Sequence, residues 1–156
     1  MALQSDSLVV EILPRGDPVA LAQAILIDVN AFPVPSDALG SQPFERVVIA
    51  RSPAEGRVVA FASARWQERE VYVERFAVDR DHRRRGFGRY FLRGLIAEAA
   101  RAGAKALSLH VSVANTAAVA LYRAGGLLVQ KRVPAFYRAG LFDREGAAFE
   151  MRMMLR

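Results

Sequence analysis

Residues 71–89 read VYVERFAVDRDHRRRGFGR, and this stretch decides the fold. Its first part, Val71 to Val78, is dense in β-branched and aromatic residues and predicts a strand. Its last part, Arg83-Arg84-Arg85-Gly86-Phe87-Gly88-Arg89, is a basic glycine turn. Beyond the turn, Phe91, Leu92, Leu95, Ile96 and Ala99 fall at spacings of one, three and four, one apolar face of a helix over Phe87 to Ala102. Gly103 stands where a left-handed cap would end it. Glycines let a backbone turn tightly and approach a ligand without interference from Cβ. The helix start adds free N–H groups and the positive end of its dipole, and the arginines add charge-assisted hydrogen bonds. The expected ligand is a phosphate or pyrophosphate. A basic turn that merely reverses the chain would use the same residues, so the loop alone leaves both readings open.

Working outward, Leu8 to Leu13 reads as an opening strand, and Asp17-Pro18 as an N-cap with proline at the first helical position of a helix to about Asn30. Ala31 to Pro43, with three prolines and a glycine, predicts a loop with room for one helical turn. Strands follow at Arg46 to Ala50 and Arg57 to Arg65. Downstream, Ala106 to Val113 alternates, with Leu107, Leu109, Val111 and Val113 on one side and Ser108, His110 and Ser112 on the other. Asn115 caps a helix to Ala124 that Gly125-Gly126 terminates, and Leu127 to Val133 and Ala147 to Leu155 are the last strands. The order β-α-β-β-β-α-β-α-β-β implies an α/β (α+β) fold with a mixed sheet and helices on its faces. Residues 1–7 are expected to be a tail and 8–156 a single domain.

The chain has 156 residues, 53% apolar and 24% charged, which is ordinary globular composition and excludes disorder. No apolar run approaches the ~20 residues of a membrane span, and no signal pattern opens the chain, so a cytoplasmic protein is expected. With no cysteine, disulfides, thiolate nucleophiles and Cys-ligated metals are excluded. His82 and His110 are the only imidazoles, too few for a multi-histidine metal site. Of 22 basic residues only Lys105 and Lys131 are lysines, and the net charge is +6. An arginine excess suits phosphate recognition but also follows from a GC-rich genome. Most arginines are scattered rather than interleaved with aromatics, which disfavours nucleic acid as a partner.

A dinucleotide fingerprint would need glycine where Phe91 stands, and a P-loop would need a lysine and a hydroxyl after its glycine. R-x-x-G-x-G does fit. Asn115-x-x-Ala118-x-x-Leu121-Tyr122-x-x-x-Gly126-Leu127 matches N-x-x-A-x-x-L-Y-x-x-x-G-F except for its last residue. Together the two motifs resemble the GNAT superfamily of acetyl-coenzyme A-dependent N-acetyltransferases. Within it, Leu107 to Val111 and Phe136-Tyr137 are most similar to the protein N-terminal branch that includes the ribosomal-protein alanine acetyltransferases. That branch usually carries Tyr-Tyr and a short acidic turn, where this chain has Phe-Tyr and a longer loop.

The resemblance implies a mostly antiparallel sheet of six to seven strands flanked by about four helices. It also implies direct acetyl transfer from the thioester to an amine, with acetyl-coenzyme A as co-substrate and no metal. By it, Tyr122 is the candidate acid beside the coenzyme sulfur and His110 the candidate base. Glu74, which shares a strand face with Glu70 and Tyr72, is the alternative base. The coenzyme would be held by the backbone of Phe76, Ala77 and Val78, by the turn Arg83, Arg84, Arg85, Gly86, Phe87, Gly88 and Arg89, and by Asn115 and Tyr122. By the resemblance a polypeptide N-terminus is the favoured acceptor; an α-amine with pKa ~8 needs less help to lose its proton than lysine at ~10.4. A polyamine, antibiotic or metabolite amine and a non-catalytic acyl-coenzyme A sensor are the alternatives. A homodimer through a final edge strand is a further expectation.

Overall fold

Asp17 Oδ1 accepts from Ala20 N at 3.0 Å and Pro18 takes the first helical position, so α1 (Pro18–Ala31) starts where its cap dictates. The protein is described by a computed structural model over residues 8–32, 39–41, 44–83, 86–137 and 144–156. Its strands are β1 (Val9–Ile12), β2 (Glu45–Ser52), β3 (Arg57–Gln67), β4 (Glu70–Val78), β5 (Ala106–Ser112), β6 (Leu128–Val133) and β7 (Ala148–Met154). Helices α2 (Phe87–Arg101) and α3 (Thr116–Ala124) and a 3₁₀ turn (Arg80–His82) complete the described elements, three α-helices where about four were expected. Every strand and helix read from the sequence is present; the 3₁₀ turn, a single turn without periodicity, was not anticipated. No helix among the described residues is long and apolar enough to cross a membrane.

The seven strands form one sheet in the order β1-β2-β3-β4-β5-β7-β6, antiparallel except for the β4–β5 pair. The last strand, β7, lies between β5 and β6, so the edges are β1 and β6. This corrects the expectation of a final edge strand: β7 turns back into the sheet because its ladder with β5 runs the full length from Ala106↔Met154 to Ser112↔Ala148.

Helix α1 packs on one face, over Ile49, Val58, Phe61 and Ala77. On the other face α2 contributes Phe91, Leu92, Leu95 and Ala99 to a core with Val48, Ala60, Ala62, Val73 and Leu109. Gly94 lets α2 approach β1 closely, since a Cβ there would lie 2.4 Å from Val10 Cγ2. The alternation read in β5 holds in direction but not in exposure. Ser108 and Ser112 are buried, and His110 alone on their side is partly open.

Two irregularities position the site. In the β3–β4 ladder Ser63 pairs with Arg75 and Ala64 with Val73, so Glu74 is an extra, bulged residue. The bulge places Tyr72, Glu74 and Arg75 toward the α1 side, while Phe76 and Val78 pack into the core with α2. The parallel β4–β5 ladder then runs only from Glu70↔Ala106 to Val73↔Leu109. Beyond that point the strands diverge, and β4's edge toward β5 has no strand partner among the described residues.

Candidate active site

The opening between β4 and β5 is a cavity of about 680 Å³. Residues 73–78 and 109–112 form its walls, α3 contributes Ala118, Leu121 and Tyr122, and Ala31, Phe32 and Tyr137 close it from the α1 side. Lining from both faces means that the cavity passes through the sheet. Of the expected site residues, Glu74, Phe76, Ala77, Val78, Arg83, Gly88, His110, Asn115 and Tyr122 all line it.

At one mouth stands the glycine turn. Gly86 has φ +79° and precedes α2 with a left-handed backbone that glycine alone adopts readily. Gly88 is helical and faces the cavity, where a Cβ would meet Leu121 Cδ2 at 3.4 Å and Val78 Cγ2 at 3.9 Å. Arg83 is exposed and its Nε donates to Val78 O at 3.2 Å. Arg89 is exposed and Phe87 packs edge-on to His82 at 5.4 Å, both outside the cavity lining. Arg84 and Arg85 lie outside the described residues.

His82, counted in the sequence only as an imidazole, anchors this turn. It is buried, with Nδ1 2.9 Å from Asp79 Oδ2 and Nε2 2.9 Å from Glu55 Oε1. Arg57 bridges the same two carboxylates at 2.9 and 3.2 Å. The β2–β3 turn is thereby tied to the end of β4, immediately before Arg83.

On the α1 side, Tyr72 Oη lies 2.8 Å from His110 Nδ1, and Phe136 stacks on the imidazole at 4.2 Å with an interplanar angle of 11°. The Tyr137 hydroxyl donates to His110 O at 3.3 Å. Burial lowers the His110 pKa; Glu150, 3.8 Å from Nε2, pulls it back up and Lys131 pushes it further down. The ring therefore stays neutral at ordinary pH and can accept a proton. Tyr72 is raised above the usual tyrosine range by burial, and Tyr137 is pushed up to about 12, also by burial. Both keep their protons. In the sequence Tyr72 was visible only as a neighbour of Glu74 by parity; its partner lies 38 residues away.

Glu74 is otherwise engaged. Its Oε1 receives Arg65 Nε at 2.6 Å, and Arg65 also lies 5.2 Å over the Tyr72 ring. Tyr122 occupies the opposite side of the sheet, 7% exposed, with Phe76 edge-on at 5.8 Å. Burial raises its pKa far above the ordinary value, so its hydroxyl stays protonated at any working pH. No contact joins Tyr122 to His110; they face one cavity from opposite sides. Asn115 Oδ1 accepts from Ala118 N at 3.1 Å, so the N-cap role is filled as expected.

Residues 21–126 match the model of the acetyltransferase (GNAT) family. The chain belongs to that family. Over 97 residues this GNAT chain is 35% identical to the [ribosomal protein bS18]-alanine N-acetyltransferase of Escherichia coli K12, covering 62% of the chain and 66% of that relative's length. The crystal structure of the ribosomal-protein-S18-alanine N-acetyltransferase from Escherichia coli superposes with a TM-score of 0.80 at 27% identity, covering 95% of this chain and 94% of that one. A spermidine N-acetyltransferase from Vibrio cholerae, solved with CoA and spermine, superposes at 0.75 with 17% identity over 94% of this chain and 95% of that one. The last likeness is one of fold alone.

The residues present fit coenzyme A. An unpaired strand edge can accept an amide-bearing arm as if it were a strand, that edge lines the cavity from Glu74 to Val78, and the turn at Gly86 to Gly88 offers N–H groups at a helix start. Among the described residues no group of side chains could hold a metal ion.

Proposed function

We propose that the protein transfers the acetyl group of acetyl-coenzyme A to the free α-amine of a polypeptide N-terminus. The observation that carries this reading is the cavity through the sheet, with a neutral imidazole on one side and a buried, protonated phenol on the other. The bound thioester supplies an activated acyl carbon. The chain's own residues do the rest. Backbone N–H groups of Phe76 and Val78, on the unpaired edge, orient the acyl oxygen and stabilise the charge it gains. The acceptor amine enters from the α1 side and loses its proton through the Tyr72 hydroxyl, which passes its own proton to His110 Nδ1. Tyr122 gives its hydroxyl proton to the departing sulfur.

The preference for a polypeptide acceptor is supported by the similarity to the Escherichia coli enzyme and by the aromatic pair Phe136-Tyr137 over His110. Glu74, the carboxylate at the opening, is neutralised by Arg65, so the cavity holds little acidity for a polycation. A peptide array with free and blocked N-termini, together with spermidine, tests the proposal. Acetylation of free N-termini alone is expected. Acetylation of spermidine, or of internal lysine in blocked peptides, without N-terminal labelling would overturn it.

A further inference from the structure

A second concavity, of about 900 Å³, lies on the α1 side of the sheet beside the cavity already described. Its floor is the paired part of β4 and β5, from Glu70 and Ala106 to Tyr72 and Ser108, and Phe44 and the end of β3 from Arg65 to Gln67 border it. Tyr72 belongs to its lining, and His110 is the next residue after Ser108 on that face of β5. The groove therefore runs from the Tyr72–His110 pair away from the coenzyme cavity.

Its charge is one-sided. Arg65, Arg69, Lys105 and Arg152 line it against Glu68 and Glu70. Arg152 is held by Glu70 at 3.0 Å and Arg65 by Glu74 at 2.6 Å. Arg69 and Lys105 are exposed and form no ion pair among the described residues. They stand together, because Lys105 N donates to Arg69 O at 2.6 Å. Two cations, with Glu68 as the one carboxylate of the lining that forms no ion pair, thus sit at the far end of a groove that begins at the proposed base.

We propose that this groove is the track of the acceptor chain and that it selects acceptors with acidic side chains about four or five residues from the free amine, at the ~3.3 Å rise of an extended strand from His110 to Lys105. The inference rests on the N-terminal acetyltransferase reading and adds the acceptor's character. The recognition is electrostatic: a carboxylate meets Arg69 and Lys105 at a solvent-exposed site, which favours the right acceptor without burying charge.

The test compares two octapeptides that share their first three residues and carry Glu or Lys at the fourth and fifth, with a tripeptide of the shared residues as a third substrate. The unmodified enzyme is expected to favour the Glu peptide in kcat/KM by roughly three- to tenfold at low salt, declining as salt rises. Arg69→Glu/Lys105→Glu, at two exposed positions, is expected to reverse that ratio. Equal use of both octapeptides, a preference for the Lys peptide, or a ratio unmoved by the charge reversal overturns the groove. Tripeptide turnover in those cases shows that the N-terminal reading stands while the groove falls. If no free N-terminus is acetylated, tripeptide included, both fall.

Discussion

Tyr72 Oη and His110 Nδ1 lie 2.8 Å apart on two parallel strands whose ladder ends at Val73↔Leu109, one residue after Tyr72 and one before His110. The hydrogen bond thus spans the point at which the ladder between β4 and β5 ends. It also fixes the imidazole, which Phe136 clamps from above. A base held at the fork of a splayed pair faces the cavity without needing a loop to position it.

The pH dependence follows from that environment. Burial holds the His110 pKa below its ordinary 6.5, and a base works only when unprotonated, so kcat/KM rises with pH through a limb below 6.5. A second rise near pH ~8 belongs to the acceptor's α-amine. His110→Ala removes the lower limb and leaves the upper one. Tyr72→Phe keeps the ring, lowers kcat and breaks the tie to Nδ1. A His110→Ala enzyme with both rate and profile intact, beside a Glu74→Gln enzyme that loses both, would move the base to Glu74.

Tyr122→Phe keeps the packing against Phe76 and removes only the hydroxyl. Its loss falls on kcat, by ~10²–10⁴-fold if general-acid catalysis is large here, with KM little changed. Steady-state kinetics with a single acceptor peptide measures it.

Gly88→Val separates coenzyme binding from folding. Gly88 has an ordinary helical φ, so valine adds no left-handed strain, and its side chain enters the cavity beside Leu121. Coenzyme A affinity by calorimetry is expected to fall more than tenfold while the melting temperature of the free enzyme changes little. Gly86→Val adds backbone strain at φ +79° and is expected to lower both.

His82→Gln tests the anchor of the glycine turn. Glutamine cannot place a ring nitrogen 2.9 Å from both Asp79 and Glu55, so the turn before Arg83 loosens. KM for acetyl-coenzyme A is expected to rise, with kcat at saturation nearly kept. An unchanged KM would place His82 outside the binding machinery.

Gly94→Ala probes the packing of α2 on β1. A Cβ 2.4 Å from Val10 Cγ2 forces the helix or the strand aside, for a loss of about 1–3 kcal/mol in urea unfolding. Val10→Ala in the same chain is expected to recover part of it, since the two sites are in contact.

Local signals carried the fold. The caps Asp17 and Asn115, the apolar face of α2 and the alternation of β5 each report on neighbours within a turn or a strand; the first three appear as read, and β5 alternates in direction while its Ser108 and Ser112 are buried. The position of β7 between β5 and β6 depends on a ladder between distant segments and left no local trace. The same holds for the site. Gly86, Gly88 and Asn115 were legible because a turn and a cap are local. The bulge at Glu74, the Arg65 partner that neutralises it and the Tyr72–His110 bond are cross-strand events. The arginine that engages Glu74 reaches it from the neighbouring strand, so no local pattern marks the pair.

In the proposed reaction one opening in the sheet receives coenzyme and amine from opposite sides. Thiol release from acetyl-coenzyme A, measured alongside the mass of a free-N-terminal peptide in the same reaction, tests it most directly. The account predicts one acetyl group gained per thiol released, no release with the N-terminally blocked peptide, and loss of both signals in Gly88→Val. Thiol release without peptide acetylation, or a Gly88→Val enzyme as active as the unmodified one, would contradict it.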